Sequence, residues 1–352
     1  MIKYLGSKRR LVPHIEALAS RLPQARTAVD LFAGTTRVAQ ALKRCGLHVH
    51  ANDLAAYTEV LATAYVEADA DLVDAARIGE LLDHLAALPP VDGYVTETFC
   101  RQARYFQPRN GMRIDAIRAE LDQLGLDRVE RAILLTSLVE AADRVDSTTG
   151  VQMAYLKQWA ARSTKPLELR MPALLPGSGT VTRADANQLA PTLAPVDLAY
   201  LDPPYNQHAY RGNYHVWETL VRGDEPEAYG IARKRVDCRT EKSAYNSRPG
   251  AWPALEQLIR SIDARWLLVS FNDEGFVPPD ALRELLTERG EVGELAIAHE
   301  RYVGARIGIH SPAGVKVGTV GRLRNVEHLF LVGDGAADIA ADVLREDALA
   351  AR

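Results

Sequence analysis

Apolar side chains at Leu11, Ile15, Leu18 and Leu22 recur at the spacing of one helix face, which predicts a helix from Lys8 to Leu22. The pattern then changes period. Thr27-Ala28-Val29-Asp30-Leu31-Phe32 reads as a short buried strand, Ala33-Gly34-Thr35-Thr36 as a turn, and Arg37 to Cys45 as a helix that Gly46 ends. A second strand, His48-Val49-His50-Ala51-Asn52-Asp53, closes on a polar pair. Strand, small-residue turn, helix and strand with a terminal acid make a nucleotide-binding βαβ unit.

From 56 to 170 the periodicity is mostly helical, with Pro89-Pro90 and Asn110-Gly111 as expected breaks. Strand patterns return at Gly179–Arg183, Val196–Leu201 and Arg265–Phe271, with a helix expected over Trp252–Ile262. Further strands are expected at Leu295–Glu300, Gly318–Val320 and His328–Val332, and a peripheral or frayed helix in the Ala-rich tail after Gly333. The pattern predicts an α/β sheet with helices on both faces and a mostly helical insert. Expected boundaries are 1–55 plus 175–332 for the sheet domain, 56–174 for the insert, and 333–352 for the tail.

Composition adds limits. The 352 residues contain no apolar run long enough to span a bilayer, and the first eight lack the apolar stretch of a secretory signal. Cys45, Cys100 and Cys238 lie far apart, so neither a disulfide framework nor a zinc site is expected, and a reducing cytoplasm is the default. Net charge is −4, yet residues 53–97 hold ten acids against Arg77 alone, and residues 334–352 hold five acids against two bases. The remainder of the chain is therefore basic by eight charges, enough for a face that meets phosphates. A solvated acidic helix pair on an ordinary enzyme would give the same totals.

Chemistry concentrates at Asp202-Pro203-Pro204-Tyr205, directly after the apolar run Val196–Leu201. Ligands of open α/β sheets bind at the carboxyl ends of strands. Two prolines fix two φ angles and remove two N–H donors, so a carboxylate, carbonyls free of nearby donors and an aromatic plane are held in a set relation. An amino group on a planar heterocycle needs those features: acceptors for both hydrogens and a stacking partner for its ring. A structural loop with a helix-capping aspartate would explain a bare D-P-P-Y, but the position after a buried strand favours chemistry. The Asp30–Thr36 turn has a single glycine, Gly34, which argues against a pyrophosphate-bearing dinucleotide and suits a nucleoside cofactor without phosphate. Asp53 stands where a ribose hydroxyl would be bound.

Lys3-Tyr4-Leu5-Gly6-Ser7-Lys8, Asp30–Gly34, Asp53, Asp185 and Asp202–Tyr205 occur in the order seen in Dam-like adenine-specific DNA methyltransferases. Asn206-Gln207-His208, Asn213-Tyr214-His215, Ser270–Gly275 and Arg324–Phe330 add to the match. From Met1 to about Val332 the chain resembles that family, particularly its restriction-modification members. The resemblance implies a Rossmann-like methyltransferase sheet with a helical target-recognition insert, and S-adenosyl-L-methionine as cofactor. It implies cofactor contacts at Tyr4, Lys8, Asp30, Phe32, Gly34, Asp53 and Asp185. It further implies that Asp202 and Pro203 hold the target amine, that Pro204 stiffens the turn, and that Tyr205 stacks on the base. Thr35-Thr36 departs from relatives that carry a second glycine there.

Double-stranded DNA is the implied partner of what is expected to be a monomer, with a cognate restriction endonuclease left open. Arg101, Arg104, Arg109, Arg113 and Arg118, interleaved with Phe99, Tyr105 and Phe106, suit phosphate contacts, guanine readout or a wedge. An amphipathic helix with solvated arginines is the alternative. Arg233, Lys234 and Arg235 form a second basic stretch inside 206–250, expected to be a mobile flap; His208 and His215 fall in it as flap or DNA contacts. RNA or a protein amide as substrate, and a DNA-binding relative without catalysis, stand as rival readings.

Overall fold

The computed structural model describes residues 2–207, 209–240, 242–273, 275–300 and 324–350. His208, Glu274 and the strand expected at Gly318–Val320 lie outside them. Nine strands follow in chain order among the described residues: β1 (Thr27–Asp30), β2 (His48–Asn52), β3 (Thr180–Thr182), β4 (Val196–Leu201), β5 (Ala228–Tyr229), β6 (Lys234–Arg235), β7 (Ala264–Asn272), β8 (Val292–Glu300) and β9 (Arg324–Val332). The expected mixed α/β class is observed. Two compact units divide the chain: Met1–Val12, Phe32–Ala186 and Ala209–Lys242 in one, Pro13–Leu31, Asn187–His208 and Ser243–Arg352 in the other. These limits differ from the boundaries expected at 55 and 175, because β2, β3 and residues 209–242 group with the helices.

In the first unit β2 and β3 run parallel, with His50 opposite Thr180 and Asn52 opposite Thr182. Gly179 admits this approach, since a Cβ there would stand 2.5 Å from the Val49 carbonyl oxygen. The helices Ala75–Ala87, Pro108–Leu121, Arg128–Val145 and His215–Arg222 enclose a core that includes Phe99, Tyr105, Phe106, Leu138 and Trp217. Asp127 and Glu130 form a capping box that starts the third of these. Asn110-Gly111 is not a break. The helix Pro108–Leu121 runs through it, with Asn110 donating to the Lys165 carbonyl at 2.9 Å and accepting from the Leu167 N–H at 3.1 Å. Gly111 is required by contact, not by a turn: a Cβ would fall 2.4 Å from the Cys100 sulfur.

The second unit carries five strands in the order β1-β4-β7-β9-β8. β1–β4 and β4–β7 are parallel, while β7–β9 and β8–β9 are antiparallel. The Asp197 carboxylate sets the β1–β4 register by accepting from the Arg26 and Thr27 N–H groups and the Thr27 hydroxyl, at 2.8, 2.9 and 3.0 Å. Helices Arg248–Ser261, Pro279–Thr287 and Ala336–Ala350 belong to this unit. The last is the helix expected, as peripheral or frayed, after Gly333, and of the two it is not the frayed one. Ala336, Ala340 and Val343 are buried at helical spacing, and the backbone at Ala336 approaches Gly293 closely enough to exclude any Cβ there.

Candidate active site

In the first unit, β2 ends in Asn52 and Asp53. The Asp53 carboxylate accepts from the Gly34 N–H and the Ala55 N–H, both at 3.0 Å, which ties the glycine turn to the strand end. Burial raises the Asp53 pKa, against the pull of those two hydrogen bonds and a third from the Leu54 N–H. Three backbone donors, the N–H groups of Gly34, Leu54 and Ala55, leave the carboxylate an acceptor site for a ligand hydroxyl. Gly34 has φ 49° and Thr36 φ 63°, so the turn is left-handed at both, a costly setting for β-branched threonine that recurs at functional turns. A Cβ on Gly34 would stand 3.3 Å from the Tyr4 ring. Thus Tyr4, Gly34 and Asp53, expected separately, share one neighbourhood.

Three further aromatic residues complete it: Tyr214, which fell in the matched Asn213-Tyr214-His215 but was given no role, and Tyr57 and Tyr210, which the sequence did not single out. Tyr4 stacks on Tyr214 at 4.4 Å between centroids and on Tyr210 at 5.3 Å, and its hydroxyl lies 3.2 Å from that of Tyr57. Burial, then the charge of neighbouring groups, raises the Tyr4 and Tyr57 pKa values well above that of a free phenol, so both are neutral donors. Tyr210 stands four residues before Tyr214, the signal that could have found it. Asn52 positions Asp185: its amide donates to the Ala184 carbonyl and accepts from the Thr182 hydroxyl and the Ala184 N–H, at 3.1, 2.8 and 3.1 Å. Lys8 is buried in a short turn of 3-10 helix, and Phe32 is half-buried beside the glycine turn.

The second unit holds Asp30, buried at the end of β1, and Asp202–Tyr205, which follow β4 without a gap. Pro203, Pro204 and Tyr205 line one small pocket together with Tyr245, Leu255, Phe271 and Phe276. The Tyr205 carbonyl accepts from the Phe276 N–H at 2.9 Å, and its ring meets Phe271 edge-on at 6.2 Å. Asn246 donates to the Asn206 carbonyl at 2.8 Å. The turn is therefore held through the Tyr205 and Asn206 carbonyls and the Tyr205 ring.

The arginines divide. Arg101 pairs with Asp92 at 2.5 Å and Glu97 at 3.4 Å, Arg104 lies over the Tyr155 ring, and Arg109 donates to the Thr164 carbonyl; all three are exposed. Arg113 instead caps the helix Ala75–Ala87 by donating to the carbonyls of Leu85, Ala86 and Leu88. Arg118 is buried on the Leu220 carbonyl at 2.9 Å. Phe99, Tyr105 and Phe106 are core residues, so none is a wedge. Arg235 is 2% exposed, with both terminal guanidinium nitrogens on Asp224 at 2.7 Å, and Nη2 and Nε on Asp237 at 2.9 and 3.2 Å, a structural position and not a phosphate contact. Nor is 206–250 a free flap, because His215–Val221 is core. His215 donates to the Gln152 carbonyl at 3.0 Å, and burial lowers its pKa to about 3, which leaves it neutral.

A glycine turn and a D-P-P-Y turn at strand ends fit an amino-group methyltransferase, the class that the family match assigns. The model of the D12 class N6 adenine-specific DNA methyltransferases matches residues 4–272, and the chain belongs to that family. It is 33% identical over 316 residues to the Type II methyltransferase M.NlaIII of Neisseria lactamica, covering 86% of this chain and 92% of that protein. The modification methylase StsI of Streptococcus sanguinis is 32% identical over 304 residues, covering 82% of this chain and 46% of that protein. The Type II methyltransferase M.CviAII of Paramecium bursaria Chlorella virus 1 is 29% identical over 315 residues, 86% of this chain and 92% of that protein. The protein is thus an S-adenosylmethionine-dependent adenine-specific DNA methyltransferase, and RNA and protein amides drop out as substrates. No helix among the described residues is long and apolar enough to cross a membrane.

Proposed function

We propose that Asp202, Pro203, Pro204 and Tyr205 form the transfer site for an adenine rotated out of the duplex. Asp202 and the Pro203 carbonyl accept the two amine hydrogens, which favours the tetrahedral, positively charged nitrogen that develops during transfer. Tyr205 stacks on the ring and recovers ~1–3 kcal/mol of the cost of unstacking the base. The observation that carries this reading is the turn directly after β4, braced by Phe271 and by the Phe276 N–H. A protonated, methylated aryl amine is strongly acidic, so its proton leaves after transfer without a dedicated base.

The cofactor supplies a methyl group on a sulfonium. Tyr4, Lys8, Asp30, Phe32, Gly34, Asp53 and Asp185 are the proposed residues that hold it. The chemistry at Asp53 fits, since a half-buried carboxylate with an acceptor site left beyond its three backbone donors suits a ribose hydroxyl. Residues 56–174 are proposed to read the target, with Arg101, Arg104, Arg109, Arg233 and Lys234 as DNA contacts. A cognate restriction endonuclease acting on the same site is the proposed biological partner, by analogy with the Type II relatives. Asp202→Ala is expected to abolish tritium transfer to duplex DNA while cofactor binding by calorimetry stays near wild type. Wild-type turnover in that variant would overturn the assignment.

A further inference from the structure

β5 and β6 form a two-stranded hairpin, Ala228 opposite Arg235 and Tyr229 opposite Lys234, closed by the four residues Gly230-Ile231-Ala232-Arg233. Ile231 at its tip is 84% exposed, the highest figure among the exposed large apolar residues described. The tip is not loose. Gly230 and Arg233 take left-handed φ values of 68° and 50°, and the Arg233 N–H donates to the Gly230 carbonyl at 3.2 Å. From beneath, the buried Tyr105 hydroxyl lies 2.9 Å from the Ala232 carbonyl. The base of the hairpin is pinned by the buried Arg235 between Asp224 and Asp237. These contacts hold an isoleucine out in water.

The tip also carries charge. Arg233 and Lys234 flank Ile231 on one side, and the Arg233 Nε is buried with no partner among the described residues. Arg239 stands 3.7 Å over the Tyr229 ring. The acids nearby are Asp224 and Asp237, both engaged by arginines, and the exposed Glu225 and Glu227 just ahead of β5. An apolar point on a rigid support, with cations beside it, is the form of side chain that enters a base step while its neighbours grip phosphates. We propose that Ile231 is a wedge that inserts into the duplex stack when the target adenine is rotated out, with Arg233 and Lys234 on the adjoining phosphates. This rests on the reading above that the base leaves the helix.

The test uses the full-length enzyme and a duplex oligonucleotide bearing the sequence that it modifies, mapped by long-read sequencing, with 2-aminopurine at the target position. Wild type raises 2-aminopurine fluorescence on binding. Ile231→Ala is expected to lose most of that rise and about tenfold in kcat/KM on the normal duplex, as an unstacking cost left uncompensated. The defect should disappear where the target adenine faces an abasic site, since little stacking remains to be broken. Lys234→Ala should instead lower the salt slope of DNA binding by about one. Unchanged fluorescence and turnover in Ile231→Ala, or an equal defect on the abasic duplex, overturn the wedge alone. No fluorescence rise in wild type overturns base rotation and the wedge together.

Discussion

Replacing Arg235 by methionine separates a structural cation from a DNA contact. The side chain is buried, fully forked on Asp224 and also bonded to Asp237 and, at 3.3 Å, to the Thr219 hydroxyl. Removing one member of a buried ion cluster costs ~3–5 kcal/mol, because the remaining charge is stranded. Here the stranded carboxylates keep side-chain exposures of 29% and 19%, and Arg222 stands 2.8 Å from Asp224 and 3.1 Å from Asp237. Water and Arg222 recover part of the loss, which leaves about 2–3 kcal/mol. The cost falls on the hairpin first, so limited proteolysis within 224–240 should accelerate more than the urea midpoint falls. Burial pushes the Asp224 and Asp237 carboxyls up, but hydrogen bonding to Arg235 outweighs it and both lie below the ordinary carboxylate value. A depressed carboxyl stabilises the fold above its unfolded pKa, ~3.9, and that contribution is lost as pH falls through the folded value. Arg235→Met should therefore flatten the stability curve below about pH 4. Unchanged stability with a salt slope reduced by about one would refute the structural role and make Arg235 a phosphate contact.

Two further outcomes follow from the first unit. Asp53→Asn keeps shape but offers one acceptor oxygen for the Gly34 and Ala55 N–H groups, so cofactor affinity by calorimetry should fall about 10–100-fold; wild-type affinity would remove Asp53 from the cofactor site. Asp143 is buried, bonded to the Lys3 N–H at 3.2 Å with the Lys3 ammonium also at 3.2 Å, and its pKa is pushed up by burial to about 6. Because the folded value exceeds the unfolded one, the folded state holds the extra proton between about pH 4 and pH 6, and stability falls as pH rises across that window, by ~3 kcal/mol at most. Asp143→Asn should flatten that fall in urea midpoints taken from pH 4 to pH 7.5; an unchanged slope would place the proton elsewhere.

How far the chain could be read without coordinates depended on whether a feature was local. The βαβ start, β4 and the turn after it were legible because apolar runs, one glycine and two prolines act within a few residues. Asn110-Gly111 misled because its usual meaning is a turn, whereas here the glycine is demanded by Cys100 and the asparagine serves a loop more than fifty residues away. The tail looked marginal because alanine contributes little apolar area, yet small side chains are what allow that helix to approach β8 at Gly293.

The basic stretch 233–235 shows the limit most clearly. Its three cations are equivalent in composition, but a hairpin alternates its faces and a four-residue tip leaves the ladder, so neighbouring positions receive opposite environments. Arg235 turns inward, Lys234 is half-buried and Arg233 sits at the left-handed tip. Asp224 and Asp237 were present in the sequence as the inward partners of Arg235, but eleven and two residues away they could not be distinguished from Glu225 and Glu227, which face water. Charge counting could therefore say that this region carries cations and not which of them remain for DNA. Only the fold assigns that, and in doing so it moves attention from the arginine that is buried to the isoleucine that is not.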